Sequence, residues 1–135
     1  MEIKAKGSFE VKMSPQAWSD TSTEHGLGRF LLDKTYHGDL EATAQGQMLS
    51  AGTGAPGSSG VYVAIEKVTG SLLGRKGSFV LYHLGIMTRG VPQLTISIAP
   101  DSATGELTGL TGSVTIAIIE GKHQYELAYT LPPAP

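Results

Sequence analysis

Two stretches of this 135-residue chain carry side chains able to do chemistry. Tyr62, Glu66, Phe79 and His83 flank a turn signal at Leu72-Leu73, and His123, Tyr125 and Tyr129 alternate near the end. Cross-strand partners of an antiparallel hairpin share a face. With the turn centred on Leu72-Leu73, Ser71 faces Gly74, Glu66 faces Phe79 and Tyr62 faces His83, so the four make one patch. A register shifted by one residue pairs Glu66 with Ser78 and dissolves it. A carboxylate inside an apolar cavity is pushed up in pKa by desolvation and drawn down by a nearby Arg75 or His83. Such a group serves as a general acid or base. Glu66 and His83 are therefore the candidate catalytic pair, and Tyr62, Phe79, Arg75, His123 and Tyr125 the candidate ligand-binding residues. The structural alternatives are an ion pair at Glu66, packed tyrosines with their hydroxyls near a rim, and surface charges at hairpin ends for Arg75 and Arg89.

Other chemistries find little support. The chain has no cysteine, which removes disulfides, thiolate catalysis and zinc–thiolate sites. His25, His37, His83 and His123 include no pair three or four residues apart, so no local metal-ligand set exists. Gly52-Thr53-Gly54-Ala55-Pro56-Gly57 lacks the Lys-Ser/Thr of a phosphate loop and has no helix after it. Gly57-Ser58-Ser59-Gly60 has the wrong spacing for a nucleophile elbow. No cofactor is implied.

The elements that must position these residues are strands. The 18 glycines punctuate β-rich runs, the pattern of an all-β fold. Ile3, Ala5, Gly7, Phe9 and Val11 alternate with charged or small polar residues, giving a first strand over about 2–12. Residues 13–27 read as a connection with one helical turn, Ser14 capping and Pro15 early in it. Trp18, the single tryptophan, plugs one end of the core or offers a stacking platform. Residues 29–50 read as two strands with a turn near His37-Gly38-Asp39. In the first of them Phe30, Leu32, Lys34 and Tyr36 share a face. Residues 51–60 form a loop of small residues, 61–69 a strand, and 70–74 a turn. The strand over 75–87 is apolar on both faces, so both should be covered. Further strands follow over 91–100, 107–120 and 123–131, with Gly121-Lys122 as a hairpin. About eight strands in hairpin order leave two raw edges unless the sheet closes. The expected fold is a single small antiparallel up-and-down β-barrel over residues 1–131, with a disordered proline-rich tail over 132–135. An eight-stranded barrel is filled by its side chains or holds one small ligand.

Apolar residues are 40% of the chain, charged residues 16%, and the net charge is −2. That balance suits a packed core and lacks the basic surplus of a nucleic-acid binder. Charge recurs too early in Met1-Glu2-Ile3-Lys4-Ala5-Lys6 for a signal peptide, and no apolar run approaches the roughly 20 residues that span a bilayer. The expected compartment is the cytoplasm.

Several phrases read together as a family pattern: Tyr62-Val63-Ala64-Ile65-Glu66, Gly74-Arg75-Lys76-Gly77-Ser78-Phe79-Val80-Leu81-Tyr82-His83, Gly105-Glu106-Leu107-Thr108-Gly109-Leu110-Thr111-Gly112 and His123-Gln124-Tyr125-Glu126-Leu127-Ala128-Tyr129. The chain resembles the bacterial family known as domain of unknown function 3224, from the Trp18 region to Leu131. The resemblance implies an eight-stranded barrel similar to allene oxide cyclase, without implying that activity. The positions matching the family's polar pattern are Glu66, Arg75, His83, Glu106 and His123, while Lys67 stands where the family often has arginine.

Three functions fit these features. A barrel cavity could bind a small apolar ligand. A cavity carboxylate could serve an isomerase or cyclase-type enzyme. The apolar run Val114, Thr115, Ile116, Ala117, Ile118, Ile119 could offer an outer face for a homo-oligomer.

Overall fold

Period-two alternation, carried through every strand, gives each one an apolar side and a wetter side, and the apolar sides converge by closing the sheet on itself. A computed structural model describes residues 2–16, 27–52 and 55–132. Its strands are β1 (Ile3–Gln16), β2 (Leu27–Gly38), β3 (Leu40–Gly52), β4 (Gly60–Leu72), β5 (Arg75–Thr88), β6 (Val91–Ile98), β7 (Thr111–Ile119) and β8 (Lys122–Thr130). They form a closed antiparallel barrel in chain order. Closure comes from β1 pairing with β8, from Ile3 opposite Tyr129 to Phe9 opposite His123. The all-β, up-and-down, eight-stranded expectation is met.

The two ends differ. At the lower end, reached by the β2–β3 and β4–β5 turns, Leu40, Val68, Leu72, Phe79 and Leu127 fill the lumen. The β6–β7 connection closes this end. Leu107, in a single 3-10 turn over Gly105–Leu107, and Leu110 are fully buried there. The connection is tied to β5: Thr104 N donates to the Ser78 carbonyl at 2.8 Å, Ser78 N to Thr104 Oγ1 at 3.1 Å, and Lys76 N to Glu106 Oε1 at 3.1 Å. At the upper end the inward positions are Met48, Ser50, Gly60, Gly85 and Met87, small or flexible residues that leave space, with the Tyr62 ring lying over Gly85. The β6–β7 ladder is slight, a single pair of Ser97 with Ser113.

Several local expectations change. Ser14 and Pro15 belong to β1 and cap no helix. The hairpin strand β4 continues through Leu72, and the turn is Leu73-Gly74, both at positive φ (47° and 86°). Leu72 therefore faces Arg75, Ser71 faces Lys76, Glu66 faces Leu81 and Tyr62 faces Gly85. The offset from the expected register is two residues, so Glu66 and His83 keep a common face. The β5 strand is not covered on both sides: Tyr82 and Leu84 stand exposed on the outer wall. Residues 107–110 lie in the connection, and β7 starts at Thr111. Trp18, His25, most of the 13–27 connection, Thr53-Gly54 and the last three tail residues lie outside the described residues. Among the described residues no helix is long and apolar enough to cross a membrane.

Candidate functional site

The boundary between the filled and the open half of the barrel is polar. Lys34 and Tyr36 reach in from β2, Glu66 from β4 and His83 from β5, and all four are buried. Lys34 Nζ donates to Glu66 Oε2 at 2.7 Å, and His83 Nε2 lies 2.7 Å from the same oxygen. The Tyr36 hydroxyl donates to Glu66 Oε1. An ionised carboxylate only accepts, so His83 Nε2 must carry a proton here. The Lys34 ammonium also stands over the Phe9 ring, 5.0 Å from its centroid, and 5.8 Å from that of Tyr36.

The backbone makes room for this cluster. Glu66 sits opposite Gly46 on β3. A Cβ on Gly46 would lie 2.0 Å from the Ile65 carbonyl oxygen and 2.9 Å from Glu66 Cβ, so no larger residue fits without moving the carboxylate's own strand.

Burial alone would raise the Glu66 pKa, because it disfavours the charged form. The His83 hydrogen bond, the Lys34 charge and bond, and the Tyr36 hydroxyl override it and hold the carboxyl at about 2. Glu66 is therefore a fixed anion at physiological pH. Burial, with the negative Glu66 beside it, pushes the Tyr36 hydroxyl well above its ordinary value, so that hydroxyl keeps its proton. Buried charges of this kind persist only when paired and hydrogen-bonded, as these are.

Above the cluster a cavity of about 710 Å³ opens at the barrel mouth, with Met48, Ser50, Tyr62, Met87, Pro92 and Leu94 in its walls. Those walls stop short of Glu66. Tyr62 connects the two: it lines the cavity, and its ring centroid is 6.4 Å from that of His83. Its ring lies across Gly85, where an added Cβ would come within 2.0 Å of Tyr62 Cε2. Burial raises the Tyr62 pKa, with a further push from Glu66.

The structure brings together Glu66, His83 and Tyr62 from the sequence reading and places the other candidates elsewhere. Phe79 is in the lower core. Arg75 is exposed at the lower hairpin. Tyr125 ties the lower rim, accepting from Leu40 N and donating to the His37 carbonyl, each at 2.9 Å. His123 stacks on Phe9 with ring centroids 5.0 Å apart. Lys34 is the participant the sequence reading does not single out, and Tyr36 is among the tyrosines that reading leaves open between packing and contact with a ligand's polar group. The available signal was a lysine on the apolar face of the Phe30, Leu32, Lys34, Tyr36 run. Among the described residues no three His, Asp or Glu side chains gather as a metal-ligand set.

Fold and site together define a small closed antiparallel barrel, plugged below, open above, with a lysine–glutamate–histidine cluster between. Residues 5–129 match the profile of the DUF3224 family, described as a protein of unknown function, and the chain belongs to that family. It is also similar to a crystal structure of a DUF3224 protein with unknown function from Shewanella oneidensis MR-1. The identity is 49% and the TM-score 0.91, over 99% of this chain and 100% of that one. Among curated proteins none matches.

Proposed function

We propose that this protein binds a small apolar ligand in the upper half of its barrel, in the cytoplasm. The observation that supports this reading is the mouth cavity of about 710 Å³. That volume lies within the roughly 300–1,000 Å³ usual for small-molecule sites. Its walls are mostly apolar, with the Tyr62 and Ser50 hydroxyls as polar contacts. Tyr62 stands between this cavity and the cluster beneath it. Nile red fluorescence tests the reading, with native mass spectrometry for a co-purified molecule. The wild type should show a blue-shifted, saturable signal, and Ser50→Trp, which fills the mouth, should lower it at least tenfold. No saturable signal and no bound mass in the wild type, or undiminished binding by Ser50→Trp, would overturn it.

The Glu66–His83 contact favours a second reading, an isomerase or cyclase-type enzyme. A carboxylate that fixes one imidazole nitrogen leaves the other to exchange a proton. In that reading His83 moves the proton and Glu66 remains its ionised partner. Turnover of a co-purified molecule by the wild type and its loss in His83→Gln would support it.

A further inference from the structure

The outer surface of the barrel holds an apolar block whose upper row, Ala51, Val61, Ile86 and Gln93, also borders the mouth cavity. The strand register arranges its outward side chains in three rows. The topmost row runs Ala51, Val61, Ile86, Gln93; the next Leu49, Val63, Leu84, Thr95; and the third Leu31, Gln47, Ile65, Tyr82, Ser97. None of these residues is charged. Charge returns at the border, with Arg29 beside Leu49, Asp33 and Lys67 in the row below, and Arg89 in the β5–β6 turn above. Val61, Val63, Ile65, Leu49, Tyr82, Leu84 and Ile86 are 38–62% exposed. Seven such side chains offer on the order of 600 Å² of apolar surface, at the top of what a monomer normally leaves in water.

We propose that this β3–β6 wall is a homodimer interface, in which the wall of one copy packs on the same wall of a second. Size argues for it: a standard interface takes about 800 Å² from each partner, and the apolar block with its Gln47, Gln93 and Thr95 rim approaches that. Charge argues against other occupants. A nucleic acid or an anionic membrane needs a broad basic surround, and this border carries only Arg29, Lys67 and Arg89, with Asp33 among them. A two-fold pairing is self-complementary, so each apolar residue is used on both sides. This wall also differs from the β7 face expected from sequence. There Val114, Ile116 and Ile118 lie on the inward side, and of the outward three only Ile119 is large and apolar.

Sedimentation velocity of the full chain from about 1 to 200 μM tests the proposal. The wild type should sediment at twice the 14.1 kDa chain mass at the upper concentrations. Ile65→Lys and Leu84→Arg should each give monomer, shifting the dissociation constant at least 100-fold, while circular dichroism stays that of the wild type. Gln124→Lys, on β8 across the barrel, should leave the dimer intact. Should one variant fail to fold, the other still decides. A wild type that remains monomeric throughout, binds lipid vesicles instead, or dimerises undiminished in a folded variant would overturn the proposal. Nile red uptake by the monomeric variants keeps this result separate from the cavity reading.

Discussion

The two halves of the barrel lumen are built from the same eight strands and treat space in opposite ways. Below Glu66 the inward positions are Leu40, Val68, Leu72, Phe79, Leu81 and Leu127, and the Leu107–Leu110 connection seals the end. Above it they are Met48, Ser50, Gly60, Tyr62, Gly85 and Met87. Stability thus resides in the lower half, where large side chains interdigitate. Capacity resides in the upper half, where glycine and serine leave room and methionine can adapt its shape. The polar cluster sits where the two regimes meet, shielded below by packing, with Tyr62 between it and the mouth.

Deleting a lower-half side chain should have the largest effect. Phe79→Ala should lower unfolding free energy by about 3–5 kcal/mol, the range for emptying a buried aromatic site, measured by urea denaturation. At the boundary, Glu66→Leu strands the Lys34 ammonium without its counter-charge and should cost about 3–5 kcal/mol. Adding Lys34→Met should recover much of that loss, because an apolar pair replaces a broken ionic one. A double variant no more stable than the single would show that the two residues are not coupled.

Acid should act on the same boundary. The Glu66 carboxyl is held at about 2 in the fold, against 4.5 for an unperturbed glutamate. Its contribution is complete above pH 4.5 and drains away as pH falls towards 2. At 1.36 kcal/mol per pKa unit it is about 3 kcal/mol. Denaturation midpoints between pH 2 and pH 6 should fall steeply for the wild type and flatten over this window for Glu66→Gln. The smallest effect belongs to the mouth: Ser50→Trp should change stability by less than about 1 kcal/mol while abolishing Nile red uptake. A large loss of stability there would place packing, and not space, in the upper half.

Much of this was legible from alternation alone. The faces of β1, β2 and β8 follow from their period-two patterns, and closure follows from eight hairpin-linked strands with edges to hide. The hairpin register was not legible, because a two-residue turn with both residues at positive φ ordinarily announces itself as Asn-Gly or Asp-Gly. Here Leu73 occupies the first position at φ 47°, a conformation that leucine seldom adopts. Moving the turn one residue along the chain slides the pairing by two. Face parity survives that slide, so Glu66 and His83 still met, whereas Phe79 was carried down into the packed half. Lys34 stayed hidden for another reason. Its partner is 32 residues away in sequence, and the two meet over the small Ala44 and Gly46 of β3, which lies between their strands, a contact set by the register of two hairpins, which no local pattern encodes.

The joint between β6 and β7 gives the barrel a mechanical character. Seven of its eight seams are stitched along many residues, and this one is held by Ser97 and Ser113. A hoop strains first at its weakest joint. An oversized guest in the mouth would therefore widen the bore along this single line, leaving the other staves and the plug beneath them in place.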